Sequence, residues 1–318
     1  MRVGLLGTGF GLAHAGIYHG HPGVESVVVF GRTASKLDQV AAEFGFATTT
    51  YIDSVYDDRS IDLIDVCLPT PLHADHVIRA LDSGKHVLCE LPLATDMADA
   101  HQVVDAHDAG DRQLFVDMSG RFDPATEALA TAVAAGSYGP LKTLAFSLRT
   151  ALLWEGYELG LESLAMDTLH GSLDTVTSAL GRPERVTAVG ATGDNRGSAA
   201  EVLLTYPDTL VACSASALMP RPYGMRGGYL ATFGGGVLES SWTAGWDGRP
   251  TGTLTEYTDT GTRDIDLAPA DSYAAVIDHV LDCLAGRATS RLIPTSVLNG
   301  LQLTLDVRDQ LQERQQSR

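Results

Sequence analysis

The residues best placed for chemistry lie near the start of the chain, in the run Gly7-Thr8-Gly9-Phe10-Gly11. This run follows a short apolar strand pattern and opens a helix-like segment. Glycines at such a turn let the backbone approach a pyrophosphate, and the following helix offers free N–H groups and the positive end of its dipole. Leu12 stands where the usual spacing has a third glycine, so the run alone also fits an ordinary turn. Its place at the start of a repeating strand–helix pattern favours a dinucleotide site.

The residues after the second strand bear on which dinucleotide would bind. An Asp or Glu at this place favours NAD because it binds the ribose hydroxyls. The chain has Gly31-Arg32-Thr33 there instead. A guanidinium can pair bidentately with a 2′-phosphate and a hydroxyl can add a hydrogen bond, so Arg32 and Thr33 favour NADP, with NAD as the second choice. The alternative is that Arg32 stacks on the adenine and tolerates either cofactor.

A helix predicted over residues 163–180 carries a second group of candidate residues. At about 100° per residue, Asp167, His170 and Asp174 share one side of this helix, and Leu169 and Leu173 lie on the opposite side. We expect the leucines to face the core. His170, oriented by Asp167, is then the first candidate for a catalytic acid or base, and an ordinary solvated polar face is the alternative.

Other side chains could also exchange protons or bind metal. Tyr157 lies in a loop before this helix and Tyr223 in a loop after a strand, and a tyrosine can protonate a ketone when its pKa is lowered. Aromatic packing or substrate stacking is the more common role of either one. His73 and His76 have the spacing of some metal pairs, but no carboxylate or cysteine motif completes a site, so no metal is expected.

The order of elements predicts two domains. Residues 1–119 alternate apolar runs with helical patterns, which is typical of parallel βαβ units. Residues 120–318 combine helices with several β-rich runs separated by turns. The predicted fold class is α/β: an N-terminal Rossmann domain, with a doubly wound parallel sheet, and a C-terminal α+β domain with an open, mainly antiparallel sheet. We expect the second domain to bind substrate and to form a homo-oligomer.

Composition excludes some classes of function. The 318 residues carry a net charge of −18, which argues against nucleic acid because phosphate binding needs a basic surface. The apolar stretches are strand-length, and no signal-peptide pattern opens the sequence, so we expect no membrane partner and a cytoplasmic protein. The four cysteines form no CxxC pair and are expected to be buried thiols in a reducing compartment.

Several blocks of the sequence resemble the glucose–fructose oxidoreductase/inositol dehydrogenase (Gfo/Idh/MocA) family. They are the glycine run with His14, residues 21–25, 61–94, 121–126 and 139–141, and the block 61–94 is quite specific. The resemblance implies a Rossmann domain followed by a domain with a large open sheet. It also implies further cofactor contacts, at Leu68, Thr70, Pro71 and His73 along the cofactor, at Glu90 and Leu91 near the nicotinamide ribose and ring, and at Arg121 near the nicotinamide end.

Two departures from the family pattern concern the chemistry. The family has Glu-Lys-Pro, with the lysine beside the nicotinamide, where this chain has Glu90-Leu91-Pro92. A leucine can neither donate a proton nor stabilise an alkoxide. In the later helix the family has Asp-x-Gly-x-His-x-x-Asp, and aligning its outer carboxylates on Asp167 and Asp174 puts Gly171 at the histidine position, with His170 one place early. His170 would then be displaced by about 80°, or the offset would be absorbed by a local bulge.

These features support three hypotheses. The first is an NAD(P)-dependent dehydrogenase or reductase that moves hydride to or from a carbinol or ketone carbon, on a sugar, cyclitol or related polyhydroxylated substrate as the resemblance implies. The second is a redox-neutral lyase or hydrolase that keeps its dinucleotide bound. The third is a non-catalytic dinucleotide-binding protein with a degenerate active site. A small-molecule substrate and a homodimer or homotetramer, formed through the open sheet face, are the expected partners.

Overall fold

The computed structural model describes residues 1–152, 158–194, 196–245, 251–267 and 271–316. The chain forms two compact units. Unit 1 comprises Met1–Phe122 and Ala270–Leu298, and unit 2 comprises Asp123–Pro269 and Asn299–Arg318. The division predicted from the sequence, at residue 119/120, assigned residues 270–298 to the second domain. Their pattern is that of an amphipathic helix and a loop, which does not indicate the sheet against which they pack.

Unit 1 contains a six-stranded parallel sheet in the order β3-β2-β1-β4-β5-β6. The central strands are apolar runs buried on both faces, as expected of a parallel sheet covered by helices. The strands are β1 Arg2–Leu6, β2 Ser26–Phe30, β3 Ala47–Thr49, β4 Leu63–Val66, β5 His86–Glu90 and β6 Leu114–Asp117. The predicted Rossmann-like parallel sheet is confirmed, although the sequence did not locate the short β3.

Helices connect these strands in the expected alternation. They are α1 Gly11–Tyr18, α2 Ala34–Phe44, α3 Asp53–Asp57, α4 His73–Asp82 and α5 Met97–Asp108, and the returning segment adds α9 Ser272–Leu284. Asp96 caps α5 by accepting a hydrogen bond from the Asp99 N–H, and Gly45 ends α2 in the left-handed region. Because all six strands are parallel, their carboxyl ends and the loops that follow lie along one edge of the sheet.

Unit 2 contains an eight-stranded, mainly antiparallel sheet in the order β14-β13-β12-β11-β7-β10-β9-β8. β7 and β10 are parallel, and the other pairs are antiparallel. The strands are β7 Leu141–Thr150, β8 Arg185–Thr192, β9 Ser198–Thr205, β10 Leu210–Ser216, β11 Met225–Phe233, β12 Val237–Ala244, β13 Thr251–Thr258 and β14 Gly261–Ile265. The predicted open, mainly antiparallel sheet is confirmed.

The helices of unit 2 are α6 Pro124–Ala135, α7 Leu161–Ser163, α8 His170–Leu180 and α10 Leu298–Gln316. A π-helical stretch, Leu164–Leu169, joins α7 to α8. The core of the unit is built from the inward side chains of the sheet together with Leu129 of α6, Leu164, Leu173 and Leu303. Leu169 and Leu173 are buried, as predicted for the leucine side of this helix.

Candidate dinucleotide-binding site

The glycine run follows β1 directly and is shaped by close packing at two of its three glycines. Gly7 has φ +125°, and a Cβ there would lie 2.3 Å from the Cys67 carbonyl oxygen. Gly11 begins α1, where a Cβ would lie 3.2 Å from Cys67 Cβ. Gly11 therefore allows the close helix–strand packing that the third glycine of the usual motif supplies. The early glycine is thus compatible with a working turn.

Gly9 differs from its neighbours because a Cβ there would meet no atom within 4 Å. The turn is thus open on the side where the backbone of a Rossmann domain approaches a pyrophosphate, next to the start of α1. Phe10 is 49% exposed and lies beside the Tyr273 ring, with 5.3 Å between the ring centroids. The shape of the run fits a bound dinucleotide.

The end of β2 comes close to this turn. A Cβ at Gly31 would lie 2.7 Å from Thr8 Cγ2, so a glycine is needed for the two loops to approach each other. Arg32 and Thr33 follow and are both exposed, immediately before α2. The adenosine ribose of a bound dinucleotide is expected at this place.

His73 at the start of α4 connects the loops after β4 and β5. Its Nε2 lies 2.7 Å from the Leu68 carbonyl oxygen and its Nδ1 lies 2.8 Å from the Pro92 carbonyl oxygen. The side chain is buried, and this burial lowers the pKa of His73. The implied cofactor residues Leu68 and Leu91 therefore lie in loops that share one buried imidazole, and Thr70 and Pro71 lie in the short 3-10 turn between Leu68 and His73.

Replacing His73 with Ala should loosen both loops. We expect weaker dinucleotide binding, by about tenfold, because the neutral imidazole donates its one N–H to one of these carbonyls and its buried ring contacts both loops. Burial holds the pKa of the native imidazole below its ordinary value, so the unfolded chain binds the proton more readily and the wild type loses stability on acidification. The Tm advantage of wild type over the variant should therefore shrink between about pH 8 and about pH 5.5. An advantage that grows on acidification would contradict this assignment.

A buried ionisable cluster lies beneath the same sheet edge. His14 of α1 contacts Asp65 of β4 through Nδ1 (2.8 Å), and its Nε2 lies 3.1 Å from Glu90 Oε1 and 3.5 Å from Asp117 Oδ2. The Tyr18 hydroxyl also donates to Asp65, at 2.8 Å. All of these side chains are buried, although Glu90 keeps 12% side-chain exposure. Carboxylates from three adjacent strands thus surround one imidazole.

The electrostatics of this cluster favour protons on two of its members. Burial alone would disfavour a charged imidazole, but Asp65 and Cys67 outweigh it and raise the pKa of His14. Burial raises the pKa of Asp117 well above its usual range, and the Glu90 carboxylate adds to this shift. An imidazolium at His14 holds the Glu90 carboxylate in place at the end of β5. The Leu91 N–H also donates to Glu90 Oε2, at 3.1 Å.

Sequence reasoning missed most of this cluster. Asp65 and Asp117 are single carboxylates inside otherwise apolar strand segments, and such a residue in a buried strand needs a partner. That pattern was the available signal, but it does not identify the partner. One ligand atom each from His14, Cys67 and Glu90 lie within 4.8 Å of one another, and the expectation that no metal binds stays a prediction.

Arg121 lies in a short 3-10 segment after β6. Its guanidinium donates to Ser296 Oγ at 2.8 Å and to the Ser296 carbonyl at 3.0 Å, both within unit 1. The Arg291 guanidinium donates in turn to the Arg121 carbonyl at 2.7 Å. The returning segment of unit 1 therefore orients this implied cofactor residue.

The acid–base candidates lie in unit 2, and they differ in how far their side chains are buried. His170 is buried, and its Nδ1 lies 2.8 Å from Thr304 Oγ1 of α10. Asp174 is also buried, and it packs so closely against Gly300 that a Cβ on this glycine would lie 2.8 Å from Asp174 Oδ1. Asp167, in contrast, is exposed. The alternative of an ordinary solvated polar face therefore does not hold for His170 and Asp174, because α10 covers the side of the helix that carries them.

The π-helical stretch ends at Leu169, directly before His170. A π-turn holds an extra residue, so it changes the direction of the side chains that follow, and such bulges occur often at functional sites. The local bulge considered for this helix is present. Tyr157 lies outside the described residues, and Tyr223 is half-buried beneath the Arg226 guanidinium, 4.4 Å from the ring centroid.

The fold and the glycine-rich edge of unit 1 define an NAD-binding Rossmann domain. Residues 1–118 match the model of the Gfo/Idh/MocA oxidoreductase family, NAD-binding Rossmann fold. These residues therefore belong to that family, and the family predicted from the sequence is confirmed. No helix within the described ranges combines the length and apolar character needed to cross a membrane.

Three curated relatives match parts of the chain. It is 32% identical over 138 residues to a 4-carboxy-2-hydroxymuconate-6-semialdehyde dehydrogenase of Sphingobium sp., covering 43% of this chain and 44% of that protein. It is 31% identical over 179 residues to inositol 2-dehydrogenase 3 of Saccharopolyspora erythraea, covering 55% and 52%. It is 36% identical over 142 residues to D-xylose 1-dehydrogenase (NADP(+)) 2 of Haloferax volcanii, covering 42% of each. The matches thus span about half the length of these relatives.

Solved structures share the fold over nearly the whole chain. A putative NADPH-dependent oxidoreductase from Desulfitobacterium hafniense superposes with a TM-score of 0.85 at 14% identity, covering 99% of this chain and 96% of that one. An oxidoreductase from Agrobacterium radiobacter in complex with NAD+, L-tartaric acid and magnesium gives 0.80 at 18% identity, covering 98% and 95%. At these identities the likeness shows the fold.

Proposed function

We propose that this protein is an NADP-preferring dehydrogenase or reductase acting on a carbinol or ketone carbon of a sugar, cyclitol or related polyhydroxylated compound. The observation that supports the proposal is the set of residues at the carboxyl edge of the parallel sheet. The glycine turn is open at Gly9, and the exposed pair Arg32-Thr33 stands where an acid would select NAD. The NADP-dependent relative from Haloferax volcanii supports the cofactor, and the inositol dehydrogenase supports the substrate class.

A bound nicotinamide would supply or accept the hydride. The chain's own contribution would be to bind and orient it. The turn at Gly7–Gly11 would receive the pyrophosphate, His73 contacts both cofactor loops, and His14 holds the Glu90 carboxylate. Leu91 cannot exchange a proton, so another group must do so. We assign that role to His170, with Tyr157 and Tyr223 as the reserve candidates.

The cofactor preference is tested with Arg32→Ala. Loss of a bidentate contact to a 2′-phosphate should weaken NADP+ binding by about tenfold to a hundredfold and leave NAD+ binding within about threefold. Titration calorimetry with both dinucleotides measures this, and Lys36→Ala, which removes a nearby positive charge on α2, is the matched control. Equal losses for the two cofactors would instead support stacking of Arg32 on adenine.

Turnover is tested by following absorbance at 340 nm with a panel of polyols and keto sugars. Net NADPH formation or consumption with one member of the panel is the expected result. Tightly retained dinucleotide with product formation but no net absorbance change would replace the proposal with a redox-neutral lyase or hydrolase. Binding of dinucleotide without any hydride exchange would replace it with a non-catalytic binding protein.

We further propose that the outer face of the unit 2 sheet forms a homodimer or homotetramer interface. Four positions that pair in register across β9, β10, β7 and β11 form an apolar row, namely Leu203, Ala212, Ala145 and Leu230. Leu203 and Leu230 are 43% and 44% exposed, and Leu210 and Val189 on the same sheet are 45% and 42% exposed. A contiguous apolar patch of this kind is typical of an interaction surface.

Placing charge in this row should dissociate the oligomer. Light scattering of Leu203→Glu and Leu230→Glu at micromolar concentration should give a smaller mass than wild type, because an unpaired carboxylate would have to be buried in the interface. Gln102→Glu, on the exposed surface of α5, adds the same charge elsewhere and should leave the mass unchanged. A monomeric wild type would contradict the interface.

A further inference from the structure

A cavity opens at the edge of the unit 1 sheet opposite the glycine run. It has a volume of about 540 Å³ and lies where the amino ends of β1, β4, β5 and β6 meet the end of α9. The glycine run and the cofactor loops belong to the carboxyl edge, so this cavity is separate from the dinucleotide site. Its size falls within the roughly 300–1,000 Å³ of small-molecule pockets.

The lining of this cavity is basic in a strongly acidic chain. It includes Arg59, Lys85, Arg112 and Arg287 together with His86, against Asp62 as its acid. The whole chain has 40 acidic and 22 basic residues, so a random surface of this size would carry more acids than bases. The local excess of positive charge therefore needs a physical reason.

Some of this charge has a use within the fold. Lys85 is buried and its Nζ donates to the carbonyls of Asp58 (2.6 Å) and Ile61 (2.8 Å), and Arg287 pairs with Asp282 at 2.6 Å. Burial lowers the pKa of Lys85, and the repulsion of Arg112 and Arg59 adds to this effect. The cations thus repel one another across the cavity.

The contact between Arg112 and His86 brings two hydrogen-bond donors together. The Gln113 N–H donates to His86 Nδ1 at 3.0 Å, so a neutral His86 carries its proton on Nε2. That Nε2 lies 3.4 Å from Arg112 Nη1, which is also a donor. Two donors therefore face each other.

The Nε of the Arg112 guanidinium is a further donor without a hydrogen bond. This Nε is buried, although the Asp111 carboxylate, which is 86% exposed, lies 3.3 Å away. An oxyanion placed among these N–H groups would accept from both side chains and relieve the repulsion. The apolar side chains of Ile61, Leu281 and Leu284 line the other part of the cavity and would suit the organic part of such a ligand.

We propose that this cavity is a binding site for a phosphate-bearing small molecule, with Arg112 and His86 as the central donors and Arg59 as an additional cation. Arg59 is exposed at the rim of the cavity, just before β4. The site lies within unit 1 and is independent of the proposed oxidoreductase activity.

The test is calorimetric titration of inorganic pyrophosphate into the full-length protein at fixed ionic strength. We expect wild type to bind with a Kd on the order of 0.1 mM, and Arg112→Gln and Arg59→Gln each to weaken binding by about tenfold. Arg263→Gln, which removes the same charge from an exposed side chain in unit 2, should leave binding unchanged. Unchanged Tm values establish that the variants are folded. If Arg112→Gln does not fold, Arg59→Gln still tests the site, because Arg59 is exposed.

Three results would overturn the proposal. The first is no binding by wild type up to about 10 mM, which is about a hundredfold above the expected Kd. The second is equal binding by wild type and both cavity variants, which would place the pyrophosphate elsewhere, for example at the glycine turn. The third is an equal loss in Arg263→Gln, which would reveal a nonspecific charge effect. NADP+ affinity measured on the same variants reports separately on the dinucleotide site.

Discussion

Gly7→Ala is expected to lower both the stability of the protein and its affinity for dinucleotide. The backbone at Gly7 has φ +125°, and a Cβ would lie 2.3 Å from the Cys67 carbonyl oxygen. The backbone conformation alone costs about 1–3 kcal/mol for a residue with a side chain, and the steric conflict adds to it. We expect Tm to fall by about 5 °C or more in thermal unfolding, with NADP+ binding reduced at least about a hundredfold.

Gly9→Ala is the matched control for this substitution. The φ of Gly9 lies outside the left-handed range, and a Cβ there meets no atom of the protein within 4 Å. Without cofactor, the free energy of unfolding of the Gly9→Ala variant should stay within about 0.5 kcal/mol of the wild-type value. Dinucleotide affinity should nevertheless fall about tenfold or more, because the methyl group occupies space next to the pyrophosphate. If the Gly9→Ala protein binds NADP+ as tightly as wild type does, the pyrophosphate does not bind at this turn.

His170→Ala is expected to lower kcat by about a hundredfold or more if His170 is the acid–base group. Thr304 Oγ1 donates to the Gly300 carbonyl at 2.8 Å, so it accepts from His170 Nδ1–H. The neutral imidazole then carries its lone pair on Nε2, which is the atom that can take a proton. The hydroxyl of Thr304 thus selects the tautomer of a buried histidine.

Thr304→Val separates catalysis from structure, because it keeps the volume of the side chain and removes the acceptor. We expect a smaller fall in kcat together with a shift in the pH profile of kcat, since a positioning residue changes the protonation of its partner. Tm is measured for both variants, because His170 is buried and its removal leaves a cavity. A fall in kcat below threefold for His170→Ala would transfer the proton role to Tyr157 or Tyr223.

Local patterns in the sequence determined much of this protein. Apolar runs alternating with helical patterns were sufficient for the parallel sheet of unit 1. The glycine run predicted the tight turn after β1, because a backbone with φ +125° needs a residue without a side chain. The elements that were missed are polar or very short. β3 has three residues, and β14 is a mostly exposed edge strand, so neither carries an apolar run that a periodicity argument could detect.

Only the tertiary structure decided which distant residues meet. His14 contacts Asp65, Glu90 and Asp117 because parallel strands bring their carboxyl ends together beneath α1, and no spacing along the chain encodes that meeting. The return of residues 270–298 to unit 1 and the covering of His170 by α10 depend equally on packing between segments far apart in sequence. The sequence alone predicted the cofactor turn, whereas packing determined the direction in which the pKa values of His14 and Asp117 shift.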